Sequence, residues 1–264
     1  GAAVECIHAY SLIHDDLPCM DNDSLRRGKP STHIKFCEST AVLAGNSLLT
    51  MSFEILSDPK LMITDKIKVN LIKKLSECSG HSGIAGGQYL DLNFENKKIS
   101  KKKITDMEIK KTGKLFYFCC MVPAIIKNKN ITTVKFFEMI GSEIGLLFQI
   151  ADDLIDYRGD TKRVGKKTKK DQTQGKANLI SLLGYNNTVI YADKLRFKIQ
   201  KKLKNSGKKS NNLNSFIWIL ALFEILLLIC FSFIIIWDAY FEITKSFHKA
   251  SMAIFFLISF IVKS

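Results

Sequence analysis

The sequence lacks the residue patterns that mark several protein classes. Its seven cysteines are odd in number and form no CxxC pair, which is typical of a reducing compartment rather than of a disulfide scaffold or a zinc site. The five histidines show no metal-ligand spacing. There is no signal peptide, no RNP-type motif and no Ser–His or Cys–His nucleophile. We therefore predict a cytoplasmic protein that binds no nucleic acid and uses no covalent nucleophile.

Strand signals are also nearly absent, because no alternating apolar runs are bounded by hairpin turns. The 264 residues are 47% hydrophobic, which suffices for a large core. Helical periodicity and apolar runs predict an all-α fold, with a loop over the lysine cluster 97–103 and a bent or close-packed helix around Gly86 and Gly87. The remaining helices are predicted over 3–17, 38–57, 64–80, 105–127 and 131–157.

A first acidic cluster lies in the stretch HDDLPCMDNDSLRRGKP, residues 14–30. Its carboxylates Asp15, Asp16 and Asp21 have the spacing DDxxxxD, which a straight helix would spread over different faces. Because Pro18 interrupts the helix, the extra residues can loop out and return Asp21 to Asp15. An acid-rich helix end is the alternative, whereas the EF-hand pattern is missing.

A second acidic cluster begins at residue 146, in LLFQIADDLIDYRGD. Gln149, Asp152, Asp153 and Asp156 stand at i, i+3, i+4 and i+7, so they form one stripe of a helix whose other faces are apolar. The alternative is an amphipathic helix with a solvated acidic face. Each acidic cluster precedes cations, Arg26 and Arg27 in the first case and the lysines of 162–170 in the second. Carboxylates for Mg²⁺ beside cations for phosphate oxygens predict a diphosphate held through Mg²⁺.

Four motifs in order resemble those of the trans-isoprenyl diphosphate synthases, over residues 1 to about 205. They are YSLIHDDLPCMDNDSLRRGKPSTH, GGQYLDL (86–92), KTGKL (111–115) and FQIADDLIDYRGDTKRVGKKTKKDQTQGKA. The resemblance implies an isoprenoid-synthase-type helical bundle around a central cavity, usually a homodimer. It also implies three Mg²⁺ ions, with isopentenyl diphosphate and an allylic diphosphate as substrates.

Roles for individual side chains follow from the same resemblance. The residues implied to bind Mg²⁺ are Asp15, Asp16, Asp21 and Asp152, with Asp153 and Asp156 in support. Those implied to contact the allylic diphosphate are Arg26, Lys111, Lys166 and Lys176, while Arg27 contacts isopentenyl diphosphate. Thr112 and Gln149 are implied to line the reacting centre.

The implied reaction is ionisation of the allylic diphosphate, attack by isopentenyl diphosphate and loss of a proton. Tyr10, with Ser11 beside it one turn before Asp15, lies where the family floors its cavity, and LPCM resembles the insertion of bacterial members that make the C15 product. We therefore expect farnesyl diphosphate, made from dimethylallyl or geranyl diphosphate. The alternatives are geranyl or geranylgeranyl diphosphate, a non-catalytic truncated relative, a terpene cyclase and a tail-anchored membrane protein.

The two ends of the sequence carry separate expectations. Residues 1–212 are interpreted as the catalytic domain, without its N-terminal helices. Residues 213–264 form a hydrophobic tail in which 216–236 is almost unbroken apolar sequence, long enough for a membrane span. We interpret the tail as a frameshift or read-through product. A genuine membrane segment, and with it membrane contact, or a final bundle helix are the alternatives.

Overall fold

The computed structural model describes residues 1–158 and 175–206. The predicted all-α class is confirmed over these residues, because helices account for most of them. In chain order the helices are α1 (Ala2–Asp15), α2 (Thr32–Lys35), α3 (Glu38–Ser57), α4 (Asp65–Ser79), α5 (Ile84–Phe94), α6 (Lys101–Glu108), α7 (Lys114–Ile126), α8 (Ile131–Arg158), α9 (Leu179–Leu183) and α10 (Tyr185–Asn205). None of the helices within these two ranges is long and apolar enough to cross a membrane, and the 216–236 segment lies outside them.

The predicted helices agree with the observed ones in place, but α2, α9 and α10 lie outside the predicted set, and two further differences concern the lysine cluster and a hairpin. The lysine cluster is not a loop throughout, because α6 begins at Lys101. Lysine is a good helix former, and Ile104 and Met107 give this helix a buried face. The second difference is a hairpin of two-residue strands, β1 (Leu25–Arg26) and β2 (Lys29–Pro30).

This hairpin turns through two residues with left-handed backbone angles. Arg27 has φ of 53° and Gly28 has φ of 72°, as a type I′ turn requires. The strands are too short to give an alternating pattern, so the sequence carries no strand signal there. The turn places Arg26 beside the carboxyl end of α1.

A single π-helical turn, Ile109–Gly113, joins α6 to α7 without a break. Turns of this kind inside α-helices often occur at functional sites. Here the turn carries Lys111 and Thr112, and it packs against both α5 and α8. Its position between these two helices fixes where the two side chains lie.

Two hydrophobic clusters hold the helices together. The first is built around α8 and α10 and includes Ile144, Ile150 and Ile199. The second lies among α1, α4 and α7 and includes Ile7 and Leu75. α7 packs along α8, and α1 packs along α3. α5 packs against both clusters, and the π-helical turn packs against the first.

A buried carboxylate at the end of α6 destabilises the fold when it ionises. Glu108 is only 2% exposed and makes no ion pair within the described ranges. Burial, and then the Asp91 carboxylate of α5, raise the pKa of Glu108 to about 8, and neither carboxylate oxygen of Glu108 has a hydrogen-bond partner among the described residues. Since the folded chain holds this proton more tightly than the unfolded chain, stability falls as the pH rises from the ordinary pKa through 8.

We therefore predict that Glu108→Gln removes part of the alkaline loss of stability. The variant should match the parent near pH 5 and unfold at higher denaturant concentration than the parent near pH 9. Urea unfolding at a series of pH values measures this, with the exposed Glu54→Gln as the matched control. Parallel curves for the parent and Glu108→Gln would contradict the prediction.

Candidate functional site

One aspartate of α5 contacts lysines from two distant segments. Asp91 is 5% exposed, and its Oδ2 accepts hydrogen bonds from Lys111 Nζ at 2.6 Å and from Lys176 Nζ at 3.0 Å. Lys176 Nζ also donates to Asp21 Oδ1, at 2.8 Å. This Asp91 cluster (Asp91, Lys111, Lys176 and Asp21) joins α5, the π-helical turn, the segment before α9 and the acidic loop after α1.

The charges in the Asp91 cluster stabilise one another against the cost of burial. Burial alone would raise the pKa of Asp91, but Lys111 and Lys176 outweigh it and lower that pKa. Burial likewise lowers the pKa of Lys111, whereas Asp91, Asp15 and Asp21 together raise it above the usual lysine value. Both lysines therefore stay cationic at neutral pH, which is the state that an anionic ligand needs.

The acidic loop after α1 bends as the sequence predicts. The Asp21 backbone N–H donates to the Asp15 carbonyl oxygen at 2.9 Å, so the residues around Pro18 loop out and the chain returns to the end of the helix. Burial raises the pKa of Asp15 to about 6, with Lys111 opposing the rise and Asp21 adding to it. The Asp15 and Asp21 carboxylates therefore repel each other, at a cost that a cation would relieve.

Asp16 points to a different partner. It is 3% exposed, and Arg26 Nε lies 3.1 and 3.2 Å from its two carboxylate oxygens, with a further contact from Arg26 Nη2. The hairpin therefore clamps the second aspartate of the motif. Arg27, at the tip of the turn, is exposed, and its Nη2 lies 3.4 Å from His8 Nε2. Of the two predicted diphosphate-binding arginines, only Arg27 is turned toward solvent.

A hydrogen-bonded chain links the π-helical turn to the second acidic cluster. Thr112 Oγ1 donates to Gln149 Oε1 at 2.7 Å, and Gln149 Nε2 donates to Asp153 Oδ1 at 2.7 Å. Asp153 and Asp156 are buried, whereas Asp152 is half-buried. A solvated acidic face, the alternative raised by the sequence, is wrong for this helix. Asp152 is the most accessible carboxylate of the three.

Close backbone packing fixes the distance between Asp91 and Lys111. A Cβ added to Gly87 would lie 2.2 Å from the Lys111 backbone nitrogen, so only glycine lets α5 approach the π-helical turn this closely. Asp91 follows Gly87 by one helical turn on the same face. The glycine therefore sets the separation that the Asp91–Lys111 ion pair needs.

Tyr10 and Ser11 lie one turn before the first aspartates. The Tyr10 ring is 7% exposed within the second hydrophobic cluster, and its hydroxyl donates to the Ser79 carbonyl oxygen of α4 at 3.3 Å. Burial, and then the nearby Asp15, raise the pKa of Tyr10 to about 12. Ser11 Oγ donates to the His8 carbonyl oxygen at 2.9 Å. Tyr10 is thus anchored one turn before Asp15, while the Ser11 hydroxyl bonds back to the preceding turn of its own helix.

The carboxylates suit Mg²⁺ shared with a ligand rather than a closed protein cage. Within residues 1–158 and 175–206, no three carboxylate, histidine or cysteine side chains converge into a ready-made metal site. Mg²⁺ typically binds one or two carboxylates, several waters and substrate phosphates, and it prefers oxygen ligands. The half-buried Asp15 beside Asp21, and the half-buried Asp152, meet that description. The donor set therefore fits the predicted ion.

The sequence did not predict a role for Asp91 or His14, and the structure does not describe the predicted residue Lys166. Asp91 lies in the motif GGQYLDL. The signal that could have indicated it is an acidic residue one turn after a glycine pair in an otherwise apolar helix. His14, before the first aspartate pair, has its Nε2 3.2 Å from the Val42 carbonyl oxygen and so ties α1 to α3. Lys166 lies outside the described residues, so its predicted role stays a prediction.

Comparison with known proteins agrees with this arrangement. The family profile described as "Polyprenyl synthetase" matches residues 1–216. The chain is 40% identical over 212 residues to farnesyl diphosphate synthase of Escherichia coli (strain K12), covering 80% of this chain and 71% of the relative. It is 41% identical over 187 residues to farnesyl diphosphate synthase of Bacillus subtilis (strain 168), covering 69% of this chain and 62% of the relative.

A solved structure is similar as well. The geranyltransferase from Helicobacter pylori, complexed with magnesium and isoprenyl diphosphate, superposes with a TM-score of 0.74 at 36% identity, over 85% of this chain and 73% of that one. The predicted helical-bundle fold is thereby confirmed. The family match covers the Asp91 cluster, the acidic loop and the π-helical turn together, and the chain belongs to the polyprenyl synthetase family.

Proposed function

We propose that the chain is a Mg²⁺-dependent prenyltransferase that condenses isopentenyl diphosphate with dimethylallyl or geranyl diphosphate to give farnesyl diphosphate. The observation that carries the proposal is the Asp91 cluster, in which two half-buried lysines converge on carboxylates beside the DDxxxxD loop. A diphosphate brought there with Mg²⁺ meets both cations at once. The substrate classes are those of the family to which the chain belongs.

The mechanism assigns separate tasks to the two kinds of charge. Asp15 and Asp21 would hold Mg²⁺ from one side and Asp152 from the other, with Asp16, Asp153 and Asp156 in support, and three ions in all. Bound Mg²⁺ supplies charge stabilisation for a departing diphosphate. Lys111 and Lys176, which Asp91 holds in place, would donate hydrogen bonds to the same diphosphate, strengthened by the shielded setting.

The remaining side chains position the substrates. The Thr112–Gln149 pair would lie beside the reacting allylic carbon, with the Gln149 amide fixed by Asp153. Arg27, exposed at the hairpin tip, would bind isopentenyl diphosphate. Arg26, which clamps Asp16, and Lys166 would contact the allylic diphosphate. Orientation of this kind brings the two reactants together at high effective concentration.

The proposal also includes location, assembly and extent. The six cysteines in the described ranges are all free, in keeping with a cytoplasmic site of action.

α3 exposes Val42, Leu43 and Met51, an apolar band that a second copy of the chain would cover. We assign the catalytic domain to residues 1–212 and leave 213–264 as a tail without a catalytic role.

The assay of the full-length protein with isopentenyl and geranyl diphosphates tests the reaction. We expect farnesyl diphosphate to form with Mg²⁺ and not after chelation. Asp15→Ala and Asp152→Ala should each lower kcat at least a hundredfold, since each removes charge stabilisation from the departing group. Asp65→Asn, an exposed acid of α4, is the control. Absence of product with Mg²⁺ present would refute the enzyme proposal.

Removing the shared carboxylate should weaken both lysines. Asp91→Asn leaves two half-buried ammonium groups without their main counter-charge, so we expect the unfolding free energy to fall by about 1–3 kcal/mol. We expect KM for the allylic diphosphate to rise as well, because the lysines lose their fixed positions. Denaturant unfolding and steady-state kinetics measure the two effects, with Asp65→Asn again as control. Unchanged stability and unchanged KM would contradict the role given to Asp91.

Shortening Tyr10 should lengthen the product. Tyr10→Leu removes the ring beneath Asp15, so a growing chain could descend further and the C20 product should accumulate. Tyr10→Phe keeps the ring and loses only the bond to Ser79, so it should still make the C15 product. Chromatography of the dephosphorylated products separates the lengths. Unchanged C15 output from a folded Tyr10→Leu protein would exclude Tyr10 as the floor.

A further inference from the structure

A groove of about 520 Å³ lies among α5, α6 and the π-helical turn, a size within the roughly 300–1,000 Å³ typical of small-molecule sites. Its lining combines apolar and polar side chains from these elements, from the start of α7 and from the segment just before α5. The apolar ones are Leu90, Phe94 and Ile109, and the polar ones are Ser82, Lys103, Asp106, Lys110 and Lys114. An apolar floor therefore lies beneath several charges.

The charges of this groove are strongly unbalanced. Three ammonium groups line it against one carboxylate, that of Asp106. Within the described ranges, Lys103, Lys110 and Lys114 form no salt bridge, although Lys114 Nζ lies 4.7 Å from the centre of the Tyr117 ring. Like charges gathered around an apolar surface repel one another and favour an anion among them.

The groove adjoins the Asp91 cluster through residues that are neighbours in sequence. Leu90 lines the groove, and the next residue, Asp91, accepts hydrogen bonds from Lys111 and Lys176. Lys110 lines the groove, and the next residue, Lys111, is paired with Asp91. α5 and the π-helical turn thus contribute different side chains to the groove and to the Asp91 cluster. No groove residue belongs to the Asp91 cluster.

We propose that this groove binds a soluble phosphate or diphosphate ester carrying a short apolar chain. Lys103, Lys110 and Lys114 donate hydrogen bonds to the phosphate oxygens, while the chain lies on Leu90, Phe94 and Ile109. The apolar contacts distinguish such an ester from inorganic phosphate, and the ammonium groups distinguish it from a neutral amphiphile.

Occupancy of the groove bears on the π-helical turn. Ile109 and Lys110, which touch the ligand, belong to the same five-residue turn as Lys111 and Thr112. A ligand that holds two residues of the turn therefore restrains the other two. Slower amide exchange across 109–113 is the expected sign of this coupling.

Calorimetry of the full-length protein with octyl phosphate tests the proposal without any turnover. We expect octyl phosphate to bind at least tenfold more tightly than inorganic phosphate, and octyl glucoside not to bind. Lys103→Glu should weaken octyl phosphate binding roughly tenfold, because it replaces a positive side chain that contacts the phosphate with a negative one. Lys102→Glu, its neighbour on α6 outside the groove, is the matched control and should leave the affinity unchanged.

Hydrogen exchange locates the ligand. Protection by octyl phosphate should appear in 84–94 and 103–114, and it should persist in Asp15→Ala. Protection confined to the end of α1 would place the ligand in the Asp91 cluster and overturn the proposal. If Lys102→Glu and Lys103→Glu weaken octyl phosphate binding equally, the binding is general charge attraction and the proposed site is wrong. If the protein binds phosphatidylglycerol vesicles through Lys103 and octyl phosphate does not compete, the groove binds a membrane surface and the proposal is wrong.

Discussion

The shared carboxylate of Asp91 is the contact on which the rest of the site depends. It accepts from Lys111 and Lys176, two ammonium groups that would otherwise repel each other in a shielded region. Burying several charges is favourable only when they compensate closely, and here each lysine has at least one carboxylate in contact. The cluster also ties together four segments that are far apart in sequence, so charge balance and tertiary structure reinforce each other.

The helices around Asp91 set the geometry of this contact. The missing side chain of Gly87 brings α5 against the backbone of the π-helical turn, and the turn rotates Lys111 toward Asp91 and Thr112 toward Gln149. On the other side, the bend at Pro18 returns Asp21 to Asp15 and within reach of Lys176. The result is a set of cations whose positions are fixed before any ligand arrives, which lowers the cost of binding a diphosphate.

Much of this could be predicted from the sequence because the signals are local. Apolar periodicity located the long helices up to α8, though not α10, and the proline between Asp15 and Asp21 predicted the loop that returns Asp21 to Asp15. The partners of single side chains were beyond such reasoning. Lys176 and Asp21 are 155 residues apart, and nothing in either segment specifies their pairing. The clamp of Arg26 on Asp16 likewise depends on a hairpin too short to leave a pattern.

A crystal structure of the full-length protein with pyrophosphate and Mg²⁺ tests the central claim most directly. If Asp91 holds Lys111 and Lys176 ready for a diphosphate, both Nζ atoms will lie within hydrogen-bonding distance of phosphate oxygens while Asp91 keeps its contacts with them. Mg²⁺ will then lie between the pyrophosphate and Asp15 or Asp21. Pyrophosphate bound away from both lysines, with the Asp91 cluster unchanged, would contradict the account.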